Sequence, residues 1–178
     1  MTKTEFKELI KIEVYGPYLK AKNKLNLFDK IWCKLFSPEL NSIYLIRKKM
    51  LYESLGGIKR VFARLIHRKL IIRYGIHIDE GVIIGKGLRI AHPVGIVITK
   101  CVIGENFEIY QNCTIGQKYH GSNLTPIIGN NVIMFAGSMI IGKVKVCDDV
   151  RIGANSLVLK DIGESGDYAG SPVRRIGK

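Results

Sequence analysis

The chain has 178 residues, with 28 Lys+Arg against 15 Asp+Glu, a formal net charge of +13 and 47% hydrophobic residues. This length suits one compact domain, or one small domain with an appendage, and the hydrophobic fraction is sufficient for a core. No run of about 18 uncharged apolar residues exists, so we expect no membrane-spanning helix. Residues 1–8 also lack the apolar stretch of a signal peptide.

The four cysteines lack the paired spacing of a metal site. One of them, Cys113, falls at an inward position of the repeat described below, where a thiol packs as a small hydrophobic group. We therefore expect reduced thiols, a cytoplasmic protein and no bound metal. The cysteines are Cys33, Cys101, Cys113 and Cys147.

The positive charge is concentrated in the N-terminal part of the chain. Residues 1–75 contain 17 Lys+Arg against 6 Asp+Glu, a net charge of +11, whereas residues 76–178 contain 11 against 9, a net charge of +2. A basic surface attracts nucleic acid, anionic lipid or an anionic substrate. Because aromatic residues do not alternate with the basic ones and no nucleic-acid-binding motif occurs, we expect no nucleic acid partner.

Residues 1–75 are predicted to be helical. Ser37 followed by Pro38 is typical of a helix N-terminus, and the pair Gly56–Gly57 is a strong stop signal. A second helix is expected from Ile58 to Gly75, where the chain passes into a different pattern.

A stripe of arginines, Arg60, Arg64 and Arg68, follows that second helix at steps of four. Such a stripe is typical of a solvated helix face. It also suits an interfacial helix in peripheral contact with the inner face of the membrane. The sequence leaves both interpretations open.

From residue 76 onward, an aliphatic residue recurs at every sixth position. This period fits neither an α-helix nor a long strand, and it is typical of a parallel β-helix in which three short strands close one coil. A second apolar or small position, which includes Val94 and Cys113, follows four residues after most ladder residues. The predicted fold is therefore mainly β. The ladder consists of Ile78, Ile84, Ile90, Ile96, Ile103, Ile109, Ile115, Ile128, Met134, Ile140, Val146, Ile152 and Val158, with a one-residue slip before Ile103.

A polar, turn-rich segment interrupts the ladder over residues 117–127. A flat repeat cannot absorb it, so we predict a loop, and loops on rigid scaffolds commonly carry binding residues. The predicted organisation is a helical region over residues 1–75, a β-helix of about five coils over residues 76–162 and a tail over residues 163–178.

Two segments resemble motifs of the hexapeptide-repeat acyltransferases. Residues 87–98, GLRIAHPVGIVI, resemble the catalytic coil of serine O-acetyltransferases and of their polysaccharide-modifying relatives. Residues 169–174, AGSPVR, resemble the Gly-x-Pro-Ala-Arg motif that closes the coenzyme A site. The resemblance covers residues 58–177 and is nearest to the short acetyltransferases of capsule and exopolysaccharide clusters. It implies a left-handed β-helix, acetyl-CoA as co-substrate and a homotrimer, with the pairing of two trimers left open.

His92 matches the catalytic histidine of that family. It lies at the third position of its repeat, beside a turn, so its side chain is expected to point outward, where it can take a proton from an acceptor hydroxyl. The family orients this base with a carboxylate fifteen residues earlier, but that position is His77 in this chain. A neutral His77 can accept a hydrogen bond from the base but cannot stabilise its cation, so we expect Asp79 or Glu80 to take that part.

The resemblance also predicts a coenzyme A groove between neighbouring β-helices of a trimer. Small side chains there let the pantetheine arm approach the backbone, although each one also suits simple packing at a tight corner. Cations near the end of the repeat can meet the anionic phosphates. The predicted donor-site residues are Gly116, Ala136, Gly137, Gly153, Ala154, Lys160 and Arg174.

The predicted acceptor is a hydroxyl of a sugar or surface-polysaccharide precursor, with L-serine as the alternative. Ala91 stands where serine acetyltransferases carry an aspartate, and residues 123–126, NLTP, replace Asp-Arg-His-Pro in the covering loop. Lys118 and His120 are the candidate acceptor-binding residues, and a merely solvated role for both is left open. The isoleucine-ended tail that docks into cysteine synthase is missing, so no such complex is expected.

Two other classes of protein are less favoured. A zinc-dependent carbonic anhydrase relative needs three histidine ligands, two of them a few residues apart. A non-enzymatic trimeric module would leave the coenzyme A motifs unexplained. No close histidine pair occurs among His67, His77, His92 and His120.

Overall fold

A computed structural model describes residues 1–19, 26–118 and 125–177, which begin as helices and continue as a solenoid. The predicted helix between Ser37 and Gly56 is confirmed, and Ser37 Oγ accepts a hydrogen bond from the N–H of Leu40 at its start. Among the described residues, no helix combines the length and apolar character needed to cross a membrane. The helices are α1 (Lys3–Leu9), a π-helical turn (Ile10–Tyr15), α2 (Gly16–Leu19), α3 (Leu27–Leu35), α4 (Pro38–Leu55) and α5 (Lys59–Tyr74).

Beyond residue 76 the chain forms a β-solenoid of about five coils, which confirms the predicted fold class. Each of the three faces is a parallel sheet to which successive coils add one short strand. The first sheet contains β1 (His77–Ile78), β4 (Val97–Ile98), β7 (Thr114–Gly116), β10 (Met139–Ile141) and β13 (Leu157–Val158). The second contains β2 (Ile83–Ile84), β5 (Val102–Ile103), β8 (Ile127–Ile128) and β11 (Lys145–Val146). The third contains β3 (Arg89–Ile90), β6 (Glu108–Ile109), β9 (Ile133–Met134), β12 (Val150–Ile152), β14 (Gly166–Ala169) and β15 (Arg174–Ile176).

The ladder residues form the core of the solenoid. On the first sheet, Ile98 pairs with Ile115 and Ile115 with Ile140, so identical side chains stack in register. These three side chains are at most 2% exposed. Because alternate residues of a strand point to opposite faces, the residue beside each ladder residue faces outward and is free to differ from coil to coil.

The ladder departs from the predicted one between β3 and β4. Ile98, and not Ile96, pairs with Ile78. Ile96 is 1% exposed and fills the second inward position, whereas Val94, which we expected there, is 58% exposed. The prediction failed because residues 91–95 form a longer corner than the regular repeat, containing a proline and a glycine whose φ is 66°.

A buried ion pair attaches the helices to the first coil. Arg47 on α4 and Glu13 in the π-helical turn have fully buried side chains, and they bond at 2.8 Å (Nε–Oε2) and 2.6 Å (Nη2–Oε1). Arg47 also donates to the carbonyls of residues 84–85 at 2.8 and 2.6 Å. Glu13 accepts hydrogen bonds from the N–H groups of residues 87–88 at 2.8 and 3.0 Å. The pair therefore satisfies backbone groups that face away from the second coil.

The other end of the solenoid closes with a hairpin. Strand β14 extends the third sheet in parallel beside β12, and β15 then turns back and pairs with β14 in antiparallel fashion. On β15, Arg175 donates to Glu164 at 2.7 Å and to the carbonyl of Ser165 at 3.0 Å. The third sheet thus ends on a strand that carries exposed charge.

Candidate active site

His92 lies on the enlarged corner between β3 and β4, and its side chain is exposed, as predicted. The imidazole sits edge-on to the ring of Tyr110, with 6.1 Å between the ring centroids and 67° between their planes. The ring of Tyr110 in turn lies 5.2 Å from that of Phe135. Tyr110 and Phe135 follow β6 and β9 at the same corner of the next two coils, so a half-buried aromatic wall adjoins the imidazole.

The predicted orienting residues contact each other rather than His92. His77 Nε2 lies 3.0 Å from Asp79 Oδ1, and both side chains are a little under half exposed. Within the described ranges, the His92 imidazole makes no hydrogen bond. An orienting role for His77 or Asp79 therefore stays a prediction.

A third histidine, His67 on α5, packs against His77. The rings of His67 and His77 are 4.8 Å apart. His67 Nε2 accepts a hydrogen bond from the N–H of Ile78 at 3.3 Å, which requires the neutral imidazole. Burial lowers the pKa of His67, and the charge of Lys49 acts in the same direction. Across the described part of the chain, no three His, Cys, Asp or Glu side chains are placed to hold a metal ion.

Four predicted donor-site residues lie on the same column of corners as His92, on the third and fourth coils. Gly137 adopts a φ of 71°, and a Cβ at this position would overlap Asn155 Oδ1, so a side chain there would strain the backbone and displace the Asn155 amide. The column is therefore lined by small residues beyond the aromatic wall. The four are Ala136 and Gly137 after β9, and Gly153 and Ala154 after β12.

The other predicted binding residues lie elsewhere. Gly116 ends β7 and Lys160 follows β13, both at the edge between the first and second sheets. Lys118 is exposed just beyond the end of β7, and Arg174 is exposed on β15. His120 lies outside the described residues.

Sequence reasoning missed three residues at the His92 column: Tyr110, Gln111 and Phe135. The Oε1 atom of Gln111 is buried, and it has no hydrogen-bond partner in the part of the chain that the structure describes. Buried polar atoms without a hydrogen-bond partner are rare in folded proteins, because leaving them unpaired destabilises the folded state. The missed signal is in the repeat itself, because Tyr110 and Phe135 directly follow ladder residues, at a position that is often glycine or alanine in the other repeats.

Curated relatives of this chain are serine acetyltransferases, although no family model matches it. The enzyme of Staphylococcus epidermidis strain RP62A is 42% identical over 128 residues, which cover 66% of this chain and 60% of that protein. The enzyme of Staphylococcus aureus strain Mu50 is 41% identical over 117 residues, covering 64% and 54%. The chain thus matches less than two thirds of the length of these relatives.

Solved serine acetyltransferases have the same architecture. The Neisseria gonorrhoeae structure aligns with a TM-score of 0.80 at 20% identity, covering 99% of this chain and 68% of that one. The Brucella abortus strain S19 enzyme in complex with coenzyme A aligns at 0.79 and 24% identity, covering 99% and 69%. This chain is therefore a hexapeptide-repeat protein with the left-handed β-helix fold. Over the matched region its sequence is, more particularly, similar to those of the serine acetyltransferases.

Proposed function

We propose that this protein is an acetyl-CoA-dependent O-acetyltransferase that uses His92 as its general base. The observation that carries the proposal is the exposed His92 imidazole on an enlarged coil corner. This corner belongs to a chain that is 42% identical over 128 residues to a serine acetyltransferase. Histidine is the most common general base in enzymes, and this corner gives it an open approach.

In the proposed reaction, the acceptor and acetyl-CoA bind together beside His92. The imidazole removes the hydroxyl proton as the hydroxyl oxygen attacks the thioester carbonyl carbon. The tetrahedral intermediate then collapses, the carbon–sulfur bond breaks, and the imidazolium returns the proton to the departing thiolate. The products are an O-acetyl ester and free coenzyme A. Backbone N–H groups near the loop at residues 117–127 would stabilise the oxyanion.

Direct transfer is favoured over an acyl-enzyme because the cysteines are poorly placed as nucleophiles. Cys33, Cys101 and Cys113 are at most 1% exposed. Burial raises the pKa of Cys101 to about 12, which suppresses its thiolate. The Cys113 thiol lies 3.2 Å from the carbonyl oxygen of Phe135 and is engaged inside the coil.

L-Serine is the acceptor that the similarity favours, since the curated relatives are named serine acetyltransferases. This ranks serine above the saccharide that the sequence interpretation placed first. Two observations still favour a saccharide as second candidate. Ala91 supplies no carboxylate beside His92, and the Tyr110–Phe135 wall offers an apolar surface of the kind that packs against a sugar ring.

The proposed assembly is a homotrimer in which the coenzyme A groove lies between neighbouring β-helices. An exposed aliphatic row on the outer face of the second sheet supports a contact between chains. Ile83, Val102 and Ile127 stack in register there and are 59%, 41% and 45% exposed. The proposed location is the cytoplasm, with peripheral contact at the inner face of the membrane.

The test is release of thiol from acetyl-CoA by the purified full chain. L-Serine is supplied in one arm and a panel of sugars and polysaccharide fragments in the other. His92→Ala should lower the rate by about 100- to 10,000-fold with the true acceptor. Release with serine alone selects the first candidate, and release with a saccharide alone selects the second. Failure of every acceptor, or equal rates for His92→Ala and the parent, would refute the proposed chemistry.

His77→Gln and Asp79→Asn variants test the orienting role in the same assay. An orienting group should lower the turnover number with little change in the Michaelis constant for acetyl-CoA. Unchanged turnover in both variants would assign the His77–Asp79 contact to structure alone.

A further inference from the structure

Helix α3 presents an apolar face that the rest of the described chain leaves uncovered. Its side chains form two adjacent rows at steps of four along the helix. Of the helix side chains that the structure describes, only that of Cys33 is buried. We call this surface the α3 face, and it consists of Leu27, Phe28, Ile31, Trp32, Leu35 and the adjoining Phe36, with exposures between 43% and 74%.

Aromatic rings form one of the two rows. Trp32 stacks on Phe36 with 4.4 Å between centroids and 27° between planes, and Phe28 lies 5.9 Å from Trp32 on the other side. The row is therefore preassembled before any partner arrives. Tryptophan, phenylalanine and leucine on one exposed helix face are typical of helices that lie in the membrane interface.

The helical region that carries the α3 face is strongly positive. Its described residues, 1–19 and 26–75, contain 14 Lys+Arg against 6 Asp+Glu, a net charge of +8. Anionic phospholipid headgroups complement this charge. A second copy of the same chain does not, since the two like-charged regions would repel each other.

We propose that the α3 face docks on the surface of an anionic phospholipid bilayer. The apolar rows enter the boundary between headgroups and acyl chains, and the net positive charge of the helical region attracts the anionic phosphates. At nine residues, α3 is too short to span the bilayer and lies in its plane.

Docking in this way would orient the solenoid. The helices cover the first coil, through the Arg47–Glu13 pair, and His92 follows the third strand of that coil. The coil that carries His92 is thus the one nearest the membrane, and the later coils extend away from it. This inference depends on the α3 face and the charge alone, and not on which acceptor is used.

The chain provides its own probe of docking, because Trp32 is its single tryptophan. The purified full chain is mixed with vesicles of phosphatidylglycerol and phosphatidylcholine, or of phosphatidylcholine alone. With the anionic vesicles we expect co-sedimentation, a blue shift of Trp32 emission and quenching by lipids brominated on their acyl chains. With neutral vesicles the bound fraction should fall at least about tenfold.

Matched variants separate the α3 face from the remaining surface. Leu27→Glu with Leu35→Glu keeps the fluorophore and should weaken binding to anionic vesicles at least about tenfold. Ile58→Glu, at the start of α5, with Ile72→Glu on α5 makes the same charge change at side chains that are 74% and 73% exposed. This variant should bind nearly as the parent does. These α5 positions also test the alternative that the arginine helix is the docking element.

Three outcomes would overturn the proposal. The first is an absence of co-sedimentation with anionic vesicles. The second is equal weakening by the α3 and α5 variants, which would reduce the effect to net charge. The third is a blue shift of Trp32 that grows with protein concentration in the absence of vesicles and is accompanied by a larger sedimenting species, which would assign the face to self-association.

Discussion

The buried Arg47–Glu13 pair should be essential for holding the helices on the solenoid, and Glu13→Ala tests this directly. The substitution removes both bonds to the guanidinium and the single oxygen, Glu13 Oε1, that accepts from the N–H groups of residues 87–88. It leaves Arg47 as a buried charge whose remaining oxygen partners are the carbonyls of residues 84–85. Removing one partner of a buried pair typically costs about 3–5 kcal/mol, and we expect a loss in this range.

The assay is urea denaturation at fixed protein concentration, followed by far-ultraviolet circular dichroism. Arg60→Ala is the matched control because it breaks the pair of Arg60 with Glu80, at 3.3 Å, where both side chains are more than half exposed. That variant should lose less than about 1 kcal/mol. The double variant Glu13→Leu with Arg47→Met should cost less than the sum of its single variants, since it leaves no unpaired charge. A loss for Glu13→Ala no larger than that for Arg60→Ala would refute the reasoning.

Three further outcomes follow from individual residues. Gly137→Ala should lower the free energy of unfolding by at least about 1 kcal/mol, because its φ is 71° and the added Cβ must displace the Asn155 side chain. Gly163→Ala is the control and should be nearly neutral, because no atom lies within 4 Å of the added Cβ. Equal melting temperatures for the Gly137→Ala and Gly163→Ala variants would contradict this prediction. At about pH 8.5, iodoacetamide should modify half-buried Cys147 before Cys101, because burial raises the pKa of Cys101 to about 12. The order of modification is followed by mass spectrometry, and the reverse order would contradict this prediction. Burial lowers the pKa of His67 below 6.5, so the unfolded state binds the proton more tightly and stability should fall as pH drops from 6.5 through the folded pKa. His67→Gln should flatten this fall, and an unchanged pH profile would contradict the assignment.

The solenoid was predictable from sequence because its core obeys a strict period. Ile128 pairs with Val146 and Met134 with Ile152, each three six-residue repeats apart, so spacing alone indicates these contacts. The same rule failed at residues 91–95, where two additional residues lengthen the corner. A periodic pattern predicts the regular coil and cannot predict how an insertion redistributes Ile96 and Val94 between the inside and the outside.

The candidate site was predictable only in part for a related reason. The exposure of His92 follows from its place beside a turn. The aromatic contacts beside His92 depend on stacking between coils. Tyr110 lies 18 positions after His92 in the sequence, and Phe135 lies 25 positions after Tyr110. The Arg47–Glu13 pair joins positions 34 residues apart, and no local pattern marks either residue as a partner.

The closing hairpin of the third sheet has a consequence for growth of the fold. A stack of parallel coils has no intrinsic length, because every coil presents the same free edge to the next one. An open edge of this kind can recruit strands from other molecules and lead to fibrils. The antiparallel β15 gives the third sheet a final edge that does not continue the parallel repeat. The exposed charges of Arg174 and Arg175 on this edge disfavour pairing with a strand of another molecule. The hairpin therefore limits the addition of further strands to the third sheet.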